Sequence, residues 1–303
     1  ARLTVASRVV RLALDKQGFA DASFRLTRLS PGCVVVEEVR LGGASPVLSV
    51  DWAEARFSFP EILRGQLDRV RVRGVEPAVG FEAGKPQSPL FERLQGVLKA
   101  SGGTASGASG GSNVFSVGEV SVYDLRLPLR LGGGAELAQL RGDLSAVSEP
   151  GPVRERYRLW TRFTEASGLR VEVAGRVDPV SGEVSLAPDV RIPRMERWLE
   201  CATLVAPDQM ARLTAFPSNC TFALRGAFSA AGWTNVGPFE VTAELGRGSL
   251  FSLKEPEGWV RFQTLRLEAS GTPLDVQSRL SVGVSGFRIG SQDQVSQEEG
   301  RLL

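Results

Sequence analysis

"EILRGQLDRVRVRGVEP", residues 61–77, opens as one turn of helix and then sets Arg69, Arg71 and Arg73 on alternate positions with Val70 and Val72 between them. A period of two puts alternate side chains on opposite faces of a strand, so this stretch reads as a β-strand with one basic and one aliphatic face. The arginine comb either grips a phosphate backbone or forms the wet side of a sheet whose dry side does the work. The chain has 36 Lys+Arg against 34 Asp+Glu, a net charge of +2 over 303 residues. Binding a duplex through its phosphates needs a positive surplus gathered on one face. The arginines instead recur beside acids, with Arg69 after Asp68, Arg126 after Asp124 and Arg170 before Glu172. The comb therefore reads as a solvated strand face, and no nucleic-acid partner is expected.

The same period runs through most of the chain. Leu125, Leu127, Leu129 and Leu131 alternate with Arg126, Pro128 and Arg130, a half-buried strand. Pro128 cannot donate to a ladder, which places that strand at an edge or gives it a free side at that point. Further alternating runs are Leu48-Val50-Trp52, Leu169-Val171-Val173, Phe222-Leu224, Phe239-Val241-Ala243, Phe262-Leu265-Leu267 and Leu280-Val282-Val284. Turn signals separate them, such as "DPVSG" at 178–182 and "SAAG" at 229–232. The expected fold is mainly β, a meander of many antiparallel strands.

Few helices interrupt it. Ser58 with Glu61 makes a capping-box pattern before Ile62 and Leu63. Ser88-Pro89 starts a second helix, with Leu90, Phe91, Leu94, Val97 and Leu98 on one stripe up to Gly102. From Pro193 onward, Met195, Trp198, Leu199, Ala202 and Val205 share a face, and Pro207-Asp208 begins a further segment carrying Met210 and Leu213. Residues 101–112, "SGGTASGASGGS", read as a flexible linker or loop. The expected organisation is an N-terminal β unit over 1–100, the Gly/Ser segment over 101–112, and a β unit over 113–303 with a helical insertion near 193–215.

Chemistry is sparse. The chain has no histidine, which removes the commonest general base, the commonest metal ligand and every Ser-His or Cys-His nucleophile. "GASGG" at 107–111 has nucleophile-elbow spacing but sits inside the Gly/Ser segment without a strand before it. The glycines at 132–134 lack the third glycine of a dinucleotide loop, and Asn219-Cys220-Thr221 is too short a pattern to carry weight. Glu37-Glu38 and Asp51-Glu54 are the available carboxylate pairs for a glycosidase, but they stand among basic neighbours, and 5 Trp and 2 Tyr offer little sugar platform. No catalytic residue, cofactor or metal site is assigned, and the chain is not expected to be an enzyme.

No apolar run approaches the roughly 18 residues of a membrane-spanning helix. The chain opens at Ala1, so a leader or anchor is expected to have been removed. Cys33, Cys201 and Cys220 are too few for a disulfide scaffold; Cys201 and Cys220 are the pair able to bridge in an oxidising compartment, the alternative being buried thiols.

Alternating strands with few covering helices have two outcomes. Two sheets close face to face as a sandwich, or one long twisted sheet curls into a trough with an apolar lining. In the trough the lining positions include Val70, Val72, Leu125, Leu127, Leu129 and Leu131. Residues 36–77, "VEEVRLGGASPVLSVDWAEARFSFPEILRGQLDRVRVRGVEP", run in an ordered series. Val39 and Leu41 make a strand ending in glycines, and Leu48, Val50 and Trp52 make the next. A short helix at 59–63 leads into Gly65-x-Leu67-x-x-Val70-x-Val72-x-Gly74-Val75. The helix at 89–100, "VGEVSVYDLRLPLRL", and the helix at 193–214 leading into "CTFALRGAFSA" continue in the same style.

This series resembles the AsmA-like group of bacterial envelope proteins, nearest to its YdbH and TamB relatives. The resemblance implies an elongated antiparallel β groove, tethered to the inner membrane by an N-terminal helix, that carries phospholipids across the periplasm. The anchor helix is missing here, and the chain is short for the group. About 18 strands at roughly 4.8 Å each give a groove on the order of 85 Å. The expected function is non-enzymatic lipid binding and transfer, with phospholipid, the membrane and envelope proteins as partners. The alternative is a structural or adhesive envelope domain with a closed sandwich core.

Overall fold

The computed structural model describes residues 7–8, 11, 19, 21–43, 46–64, 66–82, 85–87, 116–131, 136–149, 156–178, 181–205, 215–218, 220–231, 235–246, 249–253, 257–289 and 292–294. The protein is mainly β, built from twisted open sheet with two short helices among the described residues. It divides into two compact units, Ala1–Arg158 and Leu159–Leu303.

The first unit holds β1 (Ser23–Ser30), β2 (Cys33–Leu41), β3 (Leu48–Arg56), α1 (Phe59–Leu63), β4 (Gln66–Pro77), β5 (Val79–Glu82), β6 (Lys85–Gln87), β7 (Ser116–Leu131) and β8 (Glu136–Ser148). Strands β1 to β4 pair antiparallel in chain order. The capping pattern at Ser58 forms as expected, with the Ser58 amide donating to Glu61 Oε2 at 3.2 Å and its hydroxyl donating to the same oxygen at 2.7 Å.

Two expectations are corrected here. Strands β4 and β5 both pair with β7 in parallel, whereas β7 and β8 are antiparallel, so the sheet is not antiparallel throughout. A parallel pair needs a crossover of a dozen or more residues, and the stretch from β4 to β7 supplies it. That stretch contains the Gly/Ser segment at 101–112 and the expected helix at 89–100, both outside the described residues. Because β4 and β7 flank it in sequence and pair with each other, the segment does not separate the two units, and the division falls after Arg158.

Pro128 is fully buried in β7, an interior strand. The neighbouring run is interrupted at Ala78, between the pairs Val75↔Leu125 and Val79↔Leu129, and Pro128 falls at that gap. The missing donor costs no ladder bond there. Of the two alternatives the proline offered, the free side holds and the edge strand does not.

A crease crosses this sheet. In β2 the apolar positions step from Val34 and Val36 to Val39 and Leu41; in β4, from Val70 and Val72 to Val75 and Pro77; in β7, from Val120 and Val122 to Leu125 and Leu127. Each three-residue step spans one residue at positive φ: Glu38 (55°), Gly74 (66°) and Asp124 (52°). The three are aligned, since Glu37↔Trp52, Trp52↔Arg73 and Arg73↔Tyr123 flank them on one side and Val39↔Val50, Val50↔Val75 and Val75↔Leu125 on the other. A left-handed residue inside a strand takes up a position without alternating, as in a bulge. The slip in pattern and the slip in backbone therefore cancel, and the apolar residues stay on one face. Asp51 of β3 lies on this line, with its carboxylate where a Cβ on Gly74 would be. The Asp124 amide, lost to the ladder with β8, donates to Asp143 Oδ1 at 3.0 Å.

The second unit contains most of β9 (Tyr157–Thr164), then β10 (Arg170–Asp178), β11 (Glu183–Ile192), α2 (Met195–Val205), β12 (Ala215–Ser218), β13 (Phe222–Ala231), β14 (Asn235–Leu245), β15 (Ser249–Leu253), β16 (Gly258–Thr272), β17 (Asp275–Ile289) and β18 (Gln292–Gln294). The ladder β10-β11-β13-β14-β16-β17 is antiparallel throughout. The "DPVSG" turn closes as expected: the Ser181 amide donates to Asp178 Oδ1 at 3.0 Å, the Gly182 amide to the Asp178 carbonyl at 2.8 Å, and Gly182 has φ 70°. The long β16 pairs β14 along one part and β15 along the other. The segment from Pro207 carrying Met210 and Leu213 lies outside the described residues.

Candidate apolar binding face

Register turns the alternating strands into rows. In the second unit Val171, Val190, Leu224, Ala243, Leu267 and Leu280 are successive partners from β10 to β17. Ile192, Phe222, Leu245, Leu265 and Val282 form a parallel row. Gly175, Leu186, Phe228, Phe239, Gly271 and Val276 form another, in which Phe228 and Phe239 stack with centroids 6.4 Å apart. None of these residues is buried: most are half-buried, and Leu267, Leu280 and Val276 are 42%, 52% and 53% exposed. A closed sandwich would have buried its inner-face residues against a second sheet.

In the first unit Ala53↔Val72↔Val122 and Ala55↔Val70↔Val120 lie side by side, followed beyond the crease by Val50↔Val75↔Leu125. Of the six residues chosen from sequence, Val70, Val72, Leu125, Leu127 and Leu129 are all half-buried on strands of this sheet. Leu131 ends β7 opposite Phe81; its side chain lies outside the described residues. The crease brings these residues to one face, although Val70 and Val72 are even-numbered and the leucines odd. The rows of the second unit had appeared in the sequence as alternating runs, but only their register shows that they adjoin one another.

The opposite face carries the charges. Arg69 binds Glu119 at 2.8 Å, Arg126 Nε donates to Asp124 at 3.0 Å, and Arg130 reaches Glu76 at 3.4 Å. In the second unit Glu172 accepts from Arg162 at 2.6 Å, and Asp189 holds Arg191 at 3.1 Å and Arg225 at 3.4 Å. The hydrogen bond from Arg126 holds the Asp124 carboxyl below its usual range, those from Arg170 and Arg162 do so for Glu172, and that from Arg191 does so for Asp189. Glu54 is lowered likewise by Arg56. Of the comb that opened the question, Arg69 is ion-paired on this charged face, Arg73 is exposed, and the Nε of Arg71 is buried without a hydrogen-bond partner.

Each unit closes one end with a small buried group. In the first, Phe19, Ala22, Leu41 and Val47 pack together, with Val39 and Leu48 against them. In the second, Leu169, Cys220 and Ser249 are buried near the start of α2, where the Met195 amide donates to the Cys220 carbonyl at 3.0 Å and Arg197 binds the buried Glu165 at 2.9 Å. Burial pushes Glu165 up, but the Ser167 hydroxyl and amide and Arg197 outweigh it and leave its pKa lowered.

Of the two readings open for Cys201 and Cys220, the bridge is not formed; both are thiols, as is Cys33. Cys220 is turned into the strand layer, bonded to Ser249 and Leu250, while Cys201 sits on α2 among Arg197, Glu165 and Glu200. Burial pushes both thiols up, which suits inert packing.

Among the described residues no group of three or more His, Cys, Asp or Glu is placed to hold a metal ion, and no helix is long and apolar enough to cross a membrane. In comparisons with known proteins, no family model matches the chain and no curated protein matches it.

Proposed function

We propose that this chain is a non-enzymatic lipid-binding and transfer module of a bacterial envelope, periplasmic and tethered to the inner membrane, whose apolar sheet faces shield phospholipid acyl chains. The observation that carries the reading is the set of apolar rows in the second unit, six strands wide, in which no side chain is buried. A Val, Leu or Phe left half-exposed forgoes roughly 1 kcal/mol relative to full burial, and contiguous apolar surface of this extent marks a binding site. An acyl chain is a fitting occupant because it gains about 0.8 kcal/mol per methylene buried and demands no hydrogen bonds. The rows offer it none, since their charged neighbours project from the other face.

The test is direct. Purified protein, extracted with organic solvent, should release phospholipid in near-stoichiometric amount by mass spectrometry. Leu224→Glu and Val241→Glu should each lower that amount several-fold while the circular dichroism of the sheet is retained. Lipid-free wild-type protein, or folded variants that keep their lipid, would overturn the reading.

A further inference from the structure

The second unit contains a recess of about 340 Å³ lined by Arg170, Arg191, Ala223 and Glu244 of the charged face together with Ile192 and Phe222 of an apolar row. Its size is at the lower end of the roughly 300–1,000 Å³ of small-molecule sites. Arg170 and Arg191 are direct cross-strand partners, an arrangement in which like charges repel. The same row continues through Ala223 to Glu244, so a small residue forms the floor between a wall of two guanidiniums and a facing carboxylate.

The surrounding ion pairs leave both arginines available. Glu172 is shared by Arg170 and Arg162, and Asp189 by Arg191 and Arg225. Four arginines thus converge on two acids. Arg170 and Arg191 can turn to a ligand without stripping either acid of its counter-ion, since Arg162 and Arg225 remain. Their side chains are 44% and 56% exposed. Glu244 has no hydrogen bond or ion pair among the described residues, because Arg266, its cross-strand neighbour on β16, pairs with Glu268 at 2.7 Å.

We propose that this recess is a binding site for a small zwitterion, a phosphate ester carrying a primary ammonium, with the phosphate on Arg170 and Arg191 and the ammonium on Glu244. Paired guanidiniums match phosphate oxygens bidentately. Glu244 repels a bare anion, so the ammonium is what makes the whole recess complementary. Strands β11 and β14 are two strand spacings apart, roughly 10 Å, and the inward reach of Arg and Glu leaves room for one such group. The charged groups of the site project from the face opposite the apolar rows, and their chemistry does not depend on the lipid reading. The same chemistry occurs free, as phosphoethanolamine, and as a lipid headgroup.

Titration calorimetry of the whole chain with phosphoethanolamine and with inorganic phosphate tests it. Saturable binding of phosphoethanolamine is expected, weakened about tenfold by R170Q or R191Q, as the loss of one charge-assisted hydrogen bond requires. R225Q, which touches the same Asp189 but does not line the recess, should change it less than twofold. E244Q should erase the preference for phosphoethanolamine over inorganic phosphate. Vesicles containing phosphatidylethanolamine should compete with the soluble ester if the natural source is lipid, and fail to compete if it is free. Absence of saturable binding, or equal loss in R225Q, overturns the site; equal affinity for the two probes in the wild-type protein overturns the zwitterion.

Discussion

In the first unit the apolar face is broken by a crease, includes a parallel pair, and ends on a cluster of buried side chains around Phe19 and Leu41. In the second the apolar rows cross six antiparallel strands, and the buried apolar residues, Leu169 and Cys220, lie at one end, off the rows. The same alternating code thus serves two purposes. Where the chain folds back over the face, as at 19–22, apolar residues become core and contribute stability. Where no described residue folds back, they remain a partly exposed surface that stabilises the fold less, and on the proposed reading this is the surface a guest would use.

The sharpest way to break that contrast is truncation at matched positions. Phe19→Ala should destabilise the first unit by about 3–5 kcal/mol, as for buried aromatic residues, whereas Leu224→Ala should cost less, about 2 kcal/mol, because Leu224 is only partly buried. Urea melts followed separately for the two units would show it; equal losses would mean that the second unit's face is as sealed as the first unit's cluster. A smaller effect isolates the crease. Gly74→Ala should cost about 1–2 kcal/mol from the left-handed backbone alone, and Asp51 must also move to admit the new Cβ. It should leave the second unit's melt unchanged, and a shift in both would show that the crease is not local.

The smallest effect should come from acid. Asp124 and Glu54 in the first unit and Glu165, Glu172 and Asp189 in the second all have lowered folded pKa values. Each binds fewer protons folded than unfolded, so its contribution is complete above the ordinary carboxylate range and is lost as pH falls below about 4. Most of these pairs are exposed and screened, so stability should decline gently in both units. Raising the salt concentration should flatten the decline, and a decline indifferent to salt would count against surface ion pairs as its cause.

Much of this was legible in the residues. Period-two alternation identified the strands, Ser58 with Glu61 marked α1, and the acids beside the arginines foretold the ion-paired face. Which of the two readings of Cys201 and Cys220 holds was not legible, because flanking a helix says nothing of where a thiol points, and Cys220 is buried against Ser249 and Leu250. The parallel β4–β7 pair was hidden because its two strands are separated by a long segment whose composition suggested a domain boundary. The crease was hidden because Gly74 alone looked like a strand glycine, while Glu38 and Asp124 carry no mark of left-handed backbone.

The sequence by itself determined which residues are wet and which are dry, because alternation is a local property that each strand carries in its own side chains. Only the tertiary structure decided which dry residues become neighbours and which of them stay uncovered. Pairing, register and the fold-back of residues 19–22 join positions far apart in the chain, and no local pattern encodes whether a second layer will arrive.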